Sequence, residues 1–578
     1  MSEVILTVHT GMHDAAAAVF EDYELRAAVQ LERLTRYKGD GRVYPDLCID
    51  EVLSIAGAAR KDVDVVGVSR CEFPTEFYRN IRGSRWIREK YRKYVEHNTR
   101  RYMVGEFRRY NTPRVEDIFN VEKFRRASGF RDGAQIHFYN HHEAHALAAL
   151  FYTQWDDALL VTADAGGDSV NYSHRFFADG ALHTIYGGEE CLLAPFPVDS
   201  LGWAYMYMTE ALGFIPLRHE GKLTGLAALG EPALAGAIAA HFFVNDAGRV
   251  LTDFRGYNEM KDFLFGLAAR VSRADAAASI QKVLEDTMLL SIGRLLDRHK
   301  SRHLGLAGGA FANVRLNRLL AERLPIDEIF VYPAMGDEGM PAGGALCYLL
   351  RRDTLSRWLA QRRELRDVYF GRDYSNAIDD VLKAAPDIRR TAEAPVEGAA
   401  RRLNAGQLGA IYTGRMEYGP RALGARSILA NPSRRETHDL LNKRLARSEF
   451  MPFAPVIAAD KASTVFDITK VNAYACRFMT ITCNVKPEWR ERIAAVVHVD
   501  GSARPQTIVR ETNPLYYDIL AAFERESGLP VLVNTSFNVH EEPIVNKPEE
   551  CLKALIDGRI DFVVTAHGIY ERDALNPS

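Results

Sequence analysis

"VILTVHTGMHDAAAAVFEDYELRAAVQ", Val4 to Gln30, opens with an apolar β-branched run that ends in a polar loop holding Gly and Asp. A second strand, a tight acidic turn and a third strand follow. "ALLVTADAGGDSVNYSHRFFADGALHTIY", Ala158 to Tyr186, repeats that order. Two strand–loop–strand–turn–strand units, each with an acidic residue after its first strand, predict a duplicated α/β half.

The rest of the chain fits a large α/β protein. Its 578 residues are too many for one core. Hydrophobic residues make up 47% and charged residues 26%, the ordinary globular range. A net charge of −3 gives no electrostatic case for nucleic-acid binding. Seven scattered cysteines without a CxxC argue for a reducing cytosol, against a disulfide framework or a thiolate zinc site. Neither a signal peptide nor a membrane span is expected, which predicts a cytoplasmic protein. The duplication resembles the actin, hexokinase and heat-shock chaperone ATPase superfamily, where two such subdomains face each other across a nucleotide cleft.

Two glycine-rich elements extend the pattern. "HLGLAGGAFANVRLNRLL", from His303, reads as strand, Gly308-Gly309 turn and helix; such a turn lets backbone approach an anion. "YPAMGDEGMPAGGALCYLL", from Tyr332, places Asp337 and Glu338 before a small-residue helix, which implies close packing against a neighbour. The charged stretch 353–366 reads as an exposed helix or linker. It separates a domain over 1–352 from one over 367–578. Residues 77–131 hold 16 Lys/Arg against 6 Asp/Glu, interleaved with aromatics. They read as a solvated helical insertion, or as a basic lid over an anionic or sugar-like acceptor.

"NHHEAHALAALFY", Asn140 to Tyr152, carries three histidines at a helix start. His141 and His145 are four apart, His142 and His145 three apart, so either pair shares one helix face. That spacing suits two imidazoles on one metal, and it equally suits structural histidines. Asp164 in "TADAGGD" and Asp337 in "AMGDEG" are candidates for further ligands. "GRMEYGPRALGARSILANP", Gly414 to Pro432, places Arg415, Arg421 and Arg426 within twelve residues. Guanidinium forks bind phosphate bidentately; the alternative is that they brace an interface through Glu417. "VLVNTSFNVHEEPIV", with Asn534, Ser536 and Asn538, ends a strand in amides and hydroxyls that could orient an amide-like ligand.

Together "HDAAAAV", "NHHEAHALAA", "EGKLTGLAALG", "LAGGAFANVRLN", "GDEGMPAGGAL", "GRMEYGPRALGARSILANP", "FMPFAPV", "HVDGSARPQT" and "NTSFNVHEEPIV" resemble the O-carbamoyltransferase family that modifies Nod factors, cephems and aminoglycosides. The match runs through most of the chain in order. It implies an N-terminal actin-like domain of duplicated ribonuclease-H-like subdomains and a C-terminal YrdC-like α/β domain. The second would make carbamoyl adenylate from carbamoyl phosphate and ATP with Mg(II). The first would transfer the carbamoyl group to a hydroxyl of a small-molecule acceptor. By this resemblance His141, His145, Asp164 and Asp337 hold Fe(II) or another divalent transition metal. His13 acts as general base or hydroxyl-positioning group. Lys222, Gly225, Gly308, Gly309 and Asn313 line the adenylate cleft. Arg415, Arg421, Arg447, Arg504, Asn534 and Ser536 form the donor-phosphate and carbamoyl region. "LNKRLARSEFMPFAP", Leu441 to Pro455, is one residue shorter than the family pattern, and Ala446 falls where the family has lysine. A tRNA threonylcarbamoyl transferase and a non-catalytic actin-fold sensor or scaffold are the alternatives. A homodimer is compatible with the large lobes.

Overall fold

The computed structural model describes residues 2–11, 13–41, 44–70, 77, 114–117, 119–192, 194, 196–446 and 452–573. Arg447, "LNKRLARSEFMPFAP" in part, and most of 77–131 lie outside these residues. The chain forms two compact units, Met1–Leu365 and Arg366–Ser578.

The first unit is built on two five-stranded sheets of the same topology. β1 (Val4–His9), β2 (Ala16–Glu21) and β3 (Glu24–Gln30) form an antiparallel meander. β4 (Val65–Ser69) then pairs parallel with β1, and β5 (Gln135–Tyr139) parallel with β4, in the order β3-β2-β1-β4-β5. β6 (Ala158–Gly167), β7 (Val170–Ala178) and β8 (Ala181–Tyr186) repeat the meander. A hairpin of β9 (Phe242–Val244) and β10 (Val250–Thr252) intervenes. β11 (His303–Ala307) and β12 (Glu328–Val331) complete the second sheet, β12-β11-β6-β7-β8. This is the duplication read from the two quoted stretches. The central strands are apolar and buried on both faces, as parallel strands covered by helices require. The β7–β8 turn is Asp179-Gly180, with φ of +52° and +70°, the left-handed pair that matches hairpin twist.

Two helices cross between the sheets. The His141–Phe151 helix follows the first sheet but packs on β6 and β11 of the second. The Met340–Arg352 helix follows the second sheet but packs on β1, β2 and β4 of the first. A Cβ on Gly344 would lie 2.4 Å from the ring of Tyr139, the last residue of β5, so the small-residue helix packs close on the first sheet.

Residues 353–365, most of the stretch read as a linker, fall within the first unit. Trp358 is fully buried and its indole N–H donates to Leu346 O over 3.1 Å; Arg362 donates to Trp155 O over 2.7 Å. In the described remainder of 77–131 the apolar side chains turn inward. Phe77, Val115, Phe119, Phe124 and Phe130 are buried in the core under the first sheet.

The second unit has an eight-stranded mixed sheet. Its strands are β14 (Ile388–Arg390), β15 (Gly409–Tyr412), β17 (Arg426–Ala430), β18 (Ala454–Ala458), β21 (Gln506–Ile508), β22 (Val531–Ser536), β23 (Phe562–Val564) and β24 (Ile569–Arg572). The order is β14-β24-β23-β15-β17-β22-β18-β21. β13 (Tyr369–Asp373) pairs with β16 (Arg415–Glu417), and β19 (Cys483–Asn484) with β20 (Ser502–Ala503). The helices Pro395–Asn404 and Pro514–Ser527 cover one sheet face, packing Leu403, Ile519 and Phe523 on Ile411, Val456 and Leu532. Among the described residues no helix is long and apolar enough to cross a membrane.

Candidate metal centre

Asn140 follows β5 and caps the next helix: its Oδ1 accepts the Glu143 N–H over 2.9 Å. His141 and His145 then share one face, four residues apart. Asp164 stands near the end of β6, and Asp337 opens a short helical turn after β12. One donor atom from each of the four lies within 4.8 Å of the others. His141 Nε2 is 3.9 Å from Asp164 Oδ2 and 3.6 Å from Asp337 Oδ1; His145 Nε2 is 3.5 and 3.6 Å from the same atoms.

The residues fit a cation. Spacings of this size are what donors around one ion at about 2.1 Å give. His141 Nε2, His145 Nε2 and Asp337 Oδ1 are buried without a hydrogen-bond partner. Three buried polar atoms turned toward one point are costly unless a ligand satisfies them. Two imidazoles and two carboxylates suit a divalent transition ion and do not select among iron, zinc and manganese.

Each ligand is held from behind. The Gly309 N–H donates to Asp164 Oδ2 over 3.2 Å, and the Ala165 N–H to Oδ1 over 2.6 Å. Gly308, at φ +100°, passes so close that a Cβ would lie 2.3 Å from Ala163 O. His9, the last residue of β1, places Nε2 3.6 Å from Asp337 Oδ2 and accepts the Gly11 N–H over 3.3 Å. His142 points away from the centre. Its Nε2 can only donate to Val170 O, at 3.1 Å, so Nδ1 accepts from the Thr162 hydroxyl at 2.7 Å. Thr162 then accepts from Ser173, and Ser173 from Arg175, which fixes the direction of a buried chain beneath the ligand helix.

The electrostatics match. Burial and the adjacent Asp337 push the Asp164 carboxyl up, but the two imidazoles outweigh them and hold it well below the usual range. Asp337 is likewise held down by His141, His145 and His9 against burial. Burial lowers His145, yet the neighbouring carboxylates of Asp164 and Asp337 raise it to about 9. Burial and Asp14 raise Glu338 to about 8.

His13 lies in the polar loop after β1, with 26% of its side chain exposed. Burial opposes its charging, but the Asp14 carboxylate, 2.7 Å from Nδ1, with Asp337 and Asp164 beyond, raises it to about 10. Asp14 holds φ +56°, a left-handed conformation frequent at functional loops. Lys222 and Gly225 are buried in the short Glu220–Leu226 helix. Asn313 caps the Val314–Arg323 helix through Leu316 N, and its amide is tied to Gln281 at 2.8 Å. Gln281 in turn binds Tyr205 and Glu285, so Asn313 is held in a helix-to-helix network.

In the second unit the arginines divide. Arg426 is fully buried, stacks 3.7 Å over Tyr412 and donates to Thr413 O and Gly414 O; it is a structural residue, not part of a phosphate clamp. Arg415 donates to Gly371 O and Phe370 O. Arg421 and Arg504 are half-buried. Glu417 braces no arginine pair: its Oε1 accepts the Leu423, Ala425 and Arg426 N–H groups at 3.0, 2.8 and 3.1 Å. The "GPRALGA" loop is wrapped around that carboxylate. Asn534 holds the same loop, donating to Ala422 O and Gln506 Oε1 over 3.2 and 2.7 Å. Ser536 donates to Asn538 Oδ1 over 2.5 Å.

Sequence reasoning missed His9, Arg70, Asp168 and the anchoring role of Glu417. Asp168 had a visible signal: an acidic residue after Gly166-Gly167 at a hairpin turn.

A carbamoyltransferase N-terminus model matches residues 4–346, and a carbamoyltransferase C-terminus model residues 400–572. Nodulation protein NolNO of Sinorhizobium fredii is 30% identical over 98% of this chain and 80% of its own length. Uncharacterized protein MJ1058 of Methanocaldococcus jannaschii is 32% identical over 74% of this chain and 72% of its own. Among solved structures, component A of the Acidaminococcus fermentans (R)-2-hydroxyglutaryl-CoA dehydratase matches 61% of this chain and 100% of its own, at 14% identity and a TM-score of 0.33. HypF of T. kodakarensis matches 61% of this chain and 49% of its own, at 12% identity and a TM-score of 0.32. The repeated strand order, not these remote likenesses, defines the fold. With both family models in sequence along it, the chain belongs to the carbamoyltransferase family and is a transferase.

Proposed function

We propose that the chain is an ATP-dependent O-carbamoyltransferase acting on a hydroxyl of a small-molecule acceptor. The second unit would form carbamoyl adenylate from carbamoyl phosphate and ATP with Mg(II), in the manner of the YrdC-like domain it resembles. The first unit would transfer the carbamoyl group. The observation that carries this reading is the convergence of four buried donor atoms, three of them unsatisfied, in a member of this family.

His141, His145, Asp164 and Asp337 would hold the ion, Fe(II) or another divalent transition metal. When bound, it would grip the adenylate phosphate and offset charge on departing AMP. The remaining work falls to the chain. Asp14 fixes His13 through Nδ1, which leaves Nε2 for the acceptor hydroxyl. A cation on Asp164 and Asp337 would offset part of the pull that holds His13 protonated, and in its neutral form His13 would take the hydroxyl proton as the oxygen attacks the carbamoyl carbon. The new C–O bond forms and AMP leaves with the electron pair of the mixed anhydride. Glu417 and Asn534 shape the arginine loop for the donor in the other unit. The buried free thiols Cys48, Cys191, Cys347, Cys476, Cys483 and Cys551 favour a reducing cytoplasm as its place.

The test uses isotopically labelled carbamoyl phosphate with ATP and the full-length protein. Labelled carbamoyl adenylate should appear, together with pyrophosphate from ATP and orthophosphate from carbamoyl phosphate. His141→Ala should lose bound metal and transfer while ATP–pyrophosphate exchange continues. Absence of adenylate under every metal condition would sink the proposal.

A further inference from the structure

Behind the centre, His141 and Arg70 meet at one buried carboxylate. Asp168, 2% exposed, sits in the β6–β7 turn at φ +46°. Its Oδ2 accepts the backbone N–H of His141 over 2.8 Å and Nε of Arg70 over 2.9 Å. Arg70, 5% exposed, directly follows β4 of the first sheet, and its own N–H donates to Tyr139 O over 3.2 Å. Its other arm donates to Glu189. On the near side of the turn, a Cβ on Gly167 would lie 2.1 Å from the His141 ring.

We propose that Arg70 and Asp168 form a buried latch that positions His141 for cation binding. This rests on the cation-binding reading of the centre. The turn touches His141 at two points, through the backbone N–H by Asp168 and through the ring by Gly167. These two contacts fix both the start of the ligand helix and the plane of the imidazole. An anion at a helix N-terminus is favourable, and a guanidinium on its far side holds it there. Because Arg70 comes from the first sheet and Asp168 from the second, the latch also sets the distance between the sheets at the ligand helix. Neither residue supplies a donor atom to the centre; both act through His141.

The test titrates Co(II) into metal-free, full-length protein and follows visible absorption. Asp168→Asn and Arg70→Met should each raise the Co(II) Kd about tenfold or more, the usual cost of losing a group that orients a ligand. Each should also shift the absorption band. The double variant should be no worse than the weaker single. Arg70→Lys, which keeps the charge and spares the fold, should show a smaller rise. Asp157→Asn is the control: Asp157 ties the far end of β6 to Ser301 and Arg302, so its loss should lower the melting temperature and leave the Co(II) Kd unchanged. Wild-type affinity and spectrum in Asp168→Asn would overturn the latch, as would additive effects in the double variant. If the wild type itself takes up no Co(II), the reading of the centre fails instead.

Discussion

Gly343 meets Ala144 with no room for a side chain: a Cβ on Gly343 would lie 2.1 Å from the Ala144 carbonyl oxygen. Ala144 directly precedes the ligand His145, on the helix that also carries His141. Gly343→Ala must push the crossing helices apart, which overpacking data put at about 1–3 kcal/mol. Urea unfolding should show that loss, with weaker Co(II) binding alongside it. Gly236→Ala is the control, since its helix has open space at that position and should be unharmed.

Glu417→Gln should stop adenylate formation while leaving cation binding intact. The carboxylate is 2% exposed and accepts three backbone N–H groups. Replacing it with an amide weakens all three bonds, and each bond to a charged group contributes about 1.5–3 kcal/mol. The ATP–pyrophosphate exchange rate and the melting temperature of the second unit are the measurements; unchanged values would contradict the anchoring role.

Thr162→Val tests the buried chain under the ligand helix. Removing the hydroxyl leaves His142 Nδ1 buried without its donor, a loss of about 1–3 kcal/mol. Calorimetric melting should report it. Thr162→Ser retains the donor and should recover most of the stability.

His174 supplies a pH dependence. It is 1% exposed, and burial, with Arg249 and Arg175 nearby, lowers it to about 3. The unfolded imidazole titrates near 6.5. Between about pH 3 and 6.5 the unfolded chain therefore binds the extra proton, so stability rises with pH and is full above 6.5. As pH falls through that window His174 costs up to about 1.4 kcal/mol per unit. His174→Asn should flatten the fall in melting temperature between pH 7 and pH 5; an unchanged slope would rule His174 out as its source.

Local chemistry was readable where it was local. Apolar β-branched runs marked the strands at Val4–His9 and Ala158–Gly167, and the histidine-rich stretch from Asn140 was legible as a helix start. The pairing of β4 with β1 was not, because the partners Ile5 and Val65 stand sixty positions apart and periodicity says nothing about partners. The four donor residues were nameable from helical spacing, acidic loops and the family pattern. Their anchors were not: Asp168 acts on a backbone N–H 27 residues away, and no side-chain pattern encodes such a bond. Glu417 was misread for a similar reason. Beside three arginines a carboxylate suggests ion pairs, yet backbone N–H groups of its own loop claimed it. Arg426 followed, because a buried guanidinium can satisfy its donors on carbonyls and stack its face on Tyr412.

The crossed helices divide the labour of the first unit. His141 and His145 ride on a helix packed against the second sheet, Asp164 belongs to β6 of that sheet, and Asp337 follows β12, its segment pinned where the Gly308 N–H meets Met335 O at 2.7 Å. His9, His13 and Asp14 all hang from β1 of the first. A small rotation of one sheet against the other would thus carry the imidazole of His13 toward or away from an intact ligand cage.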